Sequence, residues 1–324
     1  MKKLILILTI AALSLGIVTQ ASDLVIESKT QSYSEGENKI KFNGDVKVTV
    51  DELKVVGDSA DVNMDEQQKL DTATFYDKPY AYEVKKNKKR EVKANILKVS
   101  LISKIIRAEG DTQSIVFDGK TPVVVINANT QEYNTKTGVM VATGAVTMLY
   151  KDIETFSNQA EITTDKNGDL KKLVLIGNAR VKQEKNESLA DKFVYEASTG
   201  NLTAYGNTTS NAIMDDGAKL VLKSNYQEYN QKRSVFNASG NVRIWYQDYY
   251  AAGPKVSLYP AAGSTKPNEA YFIGRSSITQ GVRTIYADKI KMVMKPKSFD
   301  AQGNTRTVIK NIGSGTDDNV SLGL

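Results

Sequence analysis

QEYNTKTGVMVATGAVTM, residues 131–148, sets Met140, Ala142, Val146 and Met148 on one parity of an alternating run that Gly144 interrupts. Alternation of period two is the mark of a strand with one buried face. Thr137-Gly138, just before that run, is a reversal signal. A glycine inside a strand marks a sharp bend, or a place where a side chain would collide across the interior. The stretch therefore reads as strand, turn, strand, with a bend at Gly144.

The same stretch recurs. Gln31-Ser32-Tyr33 and Gln227-Glu228-Tyr229-Asn230 match Gln131-Glu132-Tyr133-Asn134, and Gly44-Asp45-Val46 and Gly240-Asn241-Val242 match Gly144-Ala145-Val146. A fixed period decides the architecture before any local detail. The three long repeats divide further, because a small residue followed 16 or 17 positions later by glycine recurs as Ser28/Gly44, Ala94/Gly110, Ala128/Gly144, Ala160/Gly177, Ala190/Gly206, Ser224/Gly240 and Ala287/Gly303. Two degenerate copies, Ala60 with Asp77 and a stretched segment near Val256 with Gly274, complete nine bend positions.

The apolar parity is shared between copies: Ile40, Phe42, Val46 and Val48; Met140, Ala142, Val146 and Met148; Leu173, Leu175, Ala179 and Val181; Phe236, Ala238, Val242 and Ile244. The other parity holds Lys41, Asn43, Asp45 and Lys47, or Asn237, Ser239, Asn241 and Arg243. One face is dry and the other wet. Asn167-Gly168-Asp169 and Ser198-Thr199-Gly200-Asn201 supply further turns. A unit of two strands cannot bury its apolar face alone, so copies must stack. The fold expected is all-β, an elongated body of about nine stacked two-strand repeats with a continuous interior.

Composition narrows the chemistry. The 324 residues contain no cysteine and no histidine, so thiol nucleophiles, imidazole bases and the usual zinc sites cannot be assembled. No catalytic residue, metal ligand or cofactor site is expected. The net charge of +6 is mild and scattered, unlike the concentrated basic face of a nucleic-acid binder. Only Lys85, Lys86, Lys88, Lys89 and Arg90 cluster, which reads as a solvated turn between strands, or else as a contact for anionic headgroups or a partner. At the amino terminus Lys2 and Lys3 precede an apolar run from Leu4 to Val18 and a small-residue site ending at Ala21, the pattern of a cleaved signal peptide over residues 1–21. The repeat region then covers 22–312, and the polar stretch 313–324 reads as a flexible tail.

With the pattern Ala128 to Val146, and its echoes Leu175-Ile176-Gly177-Asn178-Ala179 and Ala204-Tyr205-Gly206-Asn207, the chain resembles the OstA-like (organic solvent tolerance A) family of periplasmic lipopolysaccharide-transport bridge proteins. The resemblance covers essentially the whole chain after the leader. It implies an open β-jellyroll whose apolar groove carries lipopolysaccharide acyl chains between inner and outer membranes, without catalysis. It also implies end-to-end strand pairing with inner- and outer-membrane transport proteins or with further copies of the chain, and a periplasmic location. Under that reading the groove residues are Phe42, Val46, Val48, Met140, Val146, Met148, Leu173, Leu175, Val181, Phe236, Val242 and Ile244. The terminal strands near Leu24-Val25-Ile26 and Arg306-Thr307-Val308-Ile309 are the expected junctions. Two other readings compete: a structural or adhesive envelope solenoid without cargo, and a polysaccharide-active β-helix enzyme with acids such as Asp65-Glu66 and Asp215-Asp216 in its site. Those acids fall in turn segments, where solvation alone accounts for them.

Overall fold

The computed structural model describes residues 24–310 apart from 51, 86–87, 101, 166–168 and 265. The expected leader, the expected tail and the Asn167-Gly168 turn lie outside the described residues. All regular structure within them is strand. In chain order these are β1 (Leu24–Glu27), β2 (Thr30–Ser34), β3 (Lys39–Val50), β4 (Leu53–Met64), β5 (Leu70–Tyr76), β6 (Tyr80–Lys85), β7 (Lys88–Lys93), β8 (Ile96–Ser100), β9 (Ile105–Asp118), β10 (Thr121–Asn134) and β11 (Val139–Tyr150). They continue as β12 (Ile153–Thr164), β13 (Leu170–Gln183), β14 (Asn186–Glu196), β15 (Asn201–Ile213), β16 (Lys219–Asn230), β17 (Val235–Tyr246), β18 (Tyr249–Pro260), β19 (Pro267–Gln280), β20 (Arg283–Val293), β21 (Ser298–Gln302) and β22 (Arg306–Ile309).

The bends fall where glycine spacing places them, and register explains how they work. Asn43 pairs with Ser59 and Val46 with Gly57, so Gly44 and Asp45 together oppose the single residue Asp58. Gly144-Ala145 likewise oppose Asn158, Gly206-Asn207 oppose Asn225, and Gly240-Asn241 oppose Pro254. Two residues against one is a β-bulge, which bends the strand and increases its twist. At Gly144 φ is +82° and at Ala145 +46°. A Cβ on Gly144 would lie 2.6 Å from Asn129 Nδ2 on the preceding strand. The glycine is thus required twice, by its backbone conformation and by the amide stacked over it.

The degenerate copy at Asp77 keeps the geometry without the glycine: Asp77 and Lys78 have φ of +63° and +60°. Aspartate tolerates the left-handed region better than most residues. One detail of the expected pairing is corrected. The side chain over Gly177 is Asn158, so Ser157 and not Ala160 holds the small-residue place in that copy. Ala60 is displaced in the same way from Gly57-Asp58. Both alanines belong to the next inward position beyond the bulge, where Ala60 faces Phe42 and Ala160 faces Ala142 across the ladder.

A bulge splits some crossings into two named strands, as with β5 and β6, which both pair with β4. Counting such pairs as one, the described residues hold 18 crossings, two for each of the nine bends. The chain forms two compact units, the first running to residue 184 and including 192–198, the second holding 185–191 and the rest. The first buries Phe42, Val46, Val62, Phe75 and Leu97 in one cluster. The second buries Leu222, Val242, Val256, Phe272 and Ile290. Each such side chain contributes about 1.5–3 kcal/mol when fully removed from water.

Candidate functional site

In the first unit each crossing gives one inward row on either side of its bend. Phe42, Ala60, Phe75, Leu97, Ala108, Gln131 and Ala142 follow one another by register on one wall. Val48, Val55, Ala81, Val92, Ser114, Ile126 and Met148 do so on the other. Side chains next to the bends are packed: Val46 and Val146 are 0% and 1% exposed. Farther from the bends the walls part. There they enclose a cavity of about 320 Å³. Its lining comes from β4, β6, β7, β9, β10, β11, β12 and β13, eight consecutive crossings, so it runs across the strands along the stacking direction.

The twelve residues expected in the groove all lie on the inward parity, and within each unit their surroundings differ. Met140 and Met148 line the cavity. Phe42, Val46 and Val48 sit inside the packed cluster of the first unit. Val146, Leu173 and Leu175 are buried, and Val181 is half-buried. In the second unit Val242 and Ile244 belong to the packed cluster, with Phe236 against it. The cavity lining also includes Ile106, Ile126, Val92 and Ile162, which the sequence did not single out.

The basic cluster is not simply a turn. Lys88, Lys89 and Arg90 lie in β7, and Lys88 and Arg90 line the cavity. Arg90 Nη1 donates to the Tyr133 hydroxyl at 2.9 Å, with the guanidinium carbon 5.9 Å from the ring centroid. These residues stand on opposite walls, since Arg90 pairs in register with Val116 while Tyr133 pairs with Met140. Lys88 pairs with Asp169. Lys89 pairs with Glu91. Burial pushes the Glu91 carboxyl up, yet the bonds from Lys89 and Tyr80 hold it below its ordinary value.

Sequence reasoning also missed a set of buried polar groups. Gln131 is buried, donates Nε2 to Thr112 Oγ1 at 2.9 Å and to the Ile126 carbonyl at 3.2 Å, and accepts from Ser114 Oγ. Gln227, its counterpart in the next long repeat, donates to the Leu222 carbonyl at 3.3 Å and accepts from Ser210 Oγ at 2.6 Å. The recurring glutamine was the available signal. The first copy, Gln31, is exposed. Buried amides persist because their partners offset a desolvation cost of about 1–3 kcal/mol. Among the described residues no group of three or more acidic side chains is placed to hold a metal ion.

The family model for the LptA and LptD N-terminal-domain lipopolysaccharide (LPS) transport protein matches residues 25–119 and 125–263. Among solved structures the chain is similar to LptH, the LptA-homologous periplasmic component of the lipopolysaccharide transport device from Pseudomonas aeruginosa. Identity is 12%, the match covers 40% of this chain and 94% of that one, and the TM-score is 0.35. No curated protein matches the sequence significantly.

Proposed function

We infer, because this chain belongs to the LptA and LptD N-terminal-domain family of lipopolysaccharide-transport proteins, that it shelters lipid acyl segments in its apolar channel and bridges inner and outer membranes in the periplasm. The observation that carries this reading is the cavity of about 320 Å³ bounded by eight successive crossings. Each methylene moved through water costs roughly 0.8 kcal/mol, and an apolar passage along the stacking direction removes that cost. The volume suits chain segments rather than a whole multi-acyl lipid, as expected where cargo moves along a route. Met140 and Met148 adapt to variable chains because methionine repacks at little cost. The work is binding and conduction, with no covalent step for the chain to perform.

The ends of the strand array support the bridging part of this reading. β1 and β2 both pair with β3, and β21 and β22 both pair with β20. Among the described residues neither end has a further partner strand, and such an edge is a template for a strand from another molecule. The leader expected over residues 1–21 delivers the chain to the compartment where such partners lie.

The test is photocrosslinking in cells. A photoreactive residue at Met140 or Met148 should capture lipopolysaccharide, whereas one at Leu149, one position off in the pleat and exposed, should not. Equal capture at both parities sinks the channel. No lipid at any position favours the structural envelope solenoid instead.

A further inference from the structure

The cavity wall contains a feature that acyl chains do not call for. Along the rim of one wall the inward residues are Leu53, Glu83, Arg90, Val116, Val124 and Tyr150, in register order. Arg90 is therefore directed by register toward the cavity, half-buried, where the charged rim meets the aliphatic lining of Val92, Ile126, Met140 and Met148. The hydrogen bond it makes there is to a neutral phenol, Tyr133. A guanidinium has five N–H donors in a planar fork and favours anionic oxygens over a phenol, especially where water is partly excluded. Lys151, in the turn after Tyr150, reaches the same mouth, its Nζ 5.3 Å from the Tyr150 ring centroid.

Resting on the acyl-channel reading above, we propose that Arg90, with Lys151 on the same rim, forms a subsite for a phosphate carried at the head of an acyl chain. When cargo enters, the guanidinium leaves Tyr133 and takes the phosphate in a two-pronged contact. The acyl segment then lies between Met140, Met148 and Ile126. The rim's carboxylates, Glu83, Glu91, Asp118 and Asp169, offset its cations. Recognition is thus by donor geometry at Arg90 and not by net field, and a free anion without an apolar tail gains little there. In the unloaded state the Arg90–Tyr133 bond ties the two walls at the mouth.

Binding of dodecyl phosphate, dodecyl maltoside and inorganic phosphate to the full mature chain, by titration calorimetry below micelle concentrations, tests this. The wild type should bind dodecyl phosphate about tenfold more tightly than dodecyl maltoside. Arg90→Gln should lose that preference and bind the maltoside as before. Tyr133→Phe, which frees the guanidinium without removing it, should keep or increase the preference, and it guards against a folding defect in the first variant. Equal binding of both amphiphiles by the wild type, or a preference that survives Arg90→Gln, overturns the subsite and leaves the channel standing. Inorganic phosphate bound as tightly as dodecyl phosphate overturns it too, by revealing an anion site unrelated to acyl cargo. If neither amphiphile binds, the acyl channel itself fails, and the subsite with it.

Discussion

At the residue scale, the bend glycines combine two constraints that can be separated. Gly119 has φ of +61° with open space around its α-carbon, whereas Gly144 has φ of +82° with Asn129 Nδ2 2.6 Å from where a Cβ would be. Gly119→Ala should then cost only the left-handed conformation, about 1 kcal/mol. Gly144→Ala should cost roughly 2–3 kcal/mol, because the stacked amide must also move. Adding Asn129→Ala to Gly144→Ala should recover the steric part, which urea denaturation of the parent, Gly144→Ala, Asn129→Ala and the double variant would measure as a coupling. Equal losses at Gly119 and Gly144 would show that the stacked amide does not matter. The bends were legible in sequence for this reason: a position constrained by both backbone and contact admits few residues. Asp77 shows the limit, since the left-handed backbone survives there with a different residue and only spacing reveals it.

At the element scale, parity was legible and the cavity was not. Period two says which side chains face inward, but Val46 and Met148 carry the same signal while one packs at a bend and the other lines the cavity. The distance between walls depends on the bulges and on the sizes of residues far apart in sequence. Arg90 was obscure for a related reason, as a basic residue in a basic run reads as solvated until register shows its inward parity. The turn from Met214 to Ala218 gives a testable case of coupling between elements. Asp216 accepts from the Ala218 backbone N–H at 2.9 Å, the Tyr246 hydroxyl at 2.8 Å and Gln247 Nε2 at 2.6 Å. The Ala218 N–H first, then the Tyr246 hydroxyl, hold its carboxyl below the ordinary value of 3.8. A lowered carboxyl contributes stability that is present above the unfolded value and lost as pH falls through the folded one. Burial first, then the Asp216 bond, pushes the Tyr246 phenol up from 10.0 to about 12. A raised phenol contributes stability that is present below pH 10.0 and lost as pH rises toward about 12. Asp216→Asn should therefore flatten the acid limb of the stability profile below about pH 4 and shallow the alkaline limb. Urea midpoints followed across pH, with both limbs unchanged in the variant, would remove this contact from the second unit's stability.

At the scale of the whole molecule, the question is whether the terminal strands join one molecule to the next. β22 pairs with β20 through Thr284–Val308 and Ile285–Thr307, and β21 pairs with β20 beyond the bulge at Gly303. Along an antiparallel edge strand, neighbouring residues direct their backbone N–H alternately toward the paired strand and away from it. Of Thr307 and Val308, one therefore serves the fold and the other faces the edge. Proline removes the donor at either site. Placed where the N–H faces β20 it should loosen β22, and placed where the N–H faces outward it should leave β22 intact and block strand addition. The interior should survive in both cases, because neighbours in a repeat array stabilise one another locally and only the outermost crossing is altered. Thr307→Pro and Val308→Pro, compared by circular dichroism and sedimentation velocity over a range of concentrations, should both stay folded. The outward-facing variant should shift from concentration-dependent oligomers toward monomer with its carboxy-terminal strand still protected from hydrogen exchange. Two variants that assemble as the parent does would remove β22 from the junction and leave the β1–β2 end to carry it. A parent that is monomeric at every concentration would confine strand addition to partners other than a second copy.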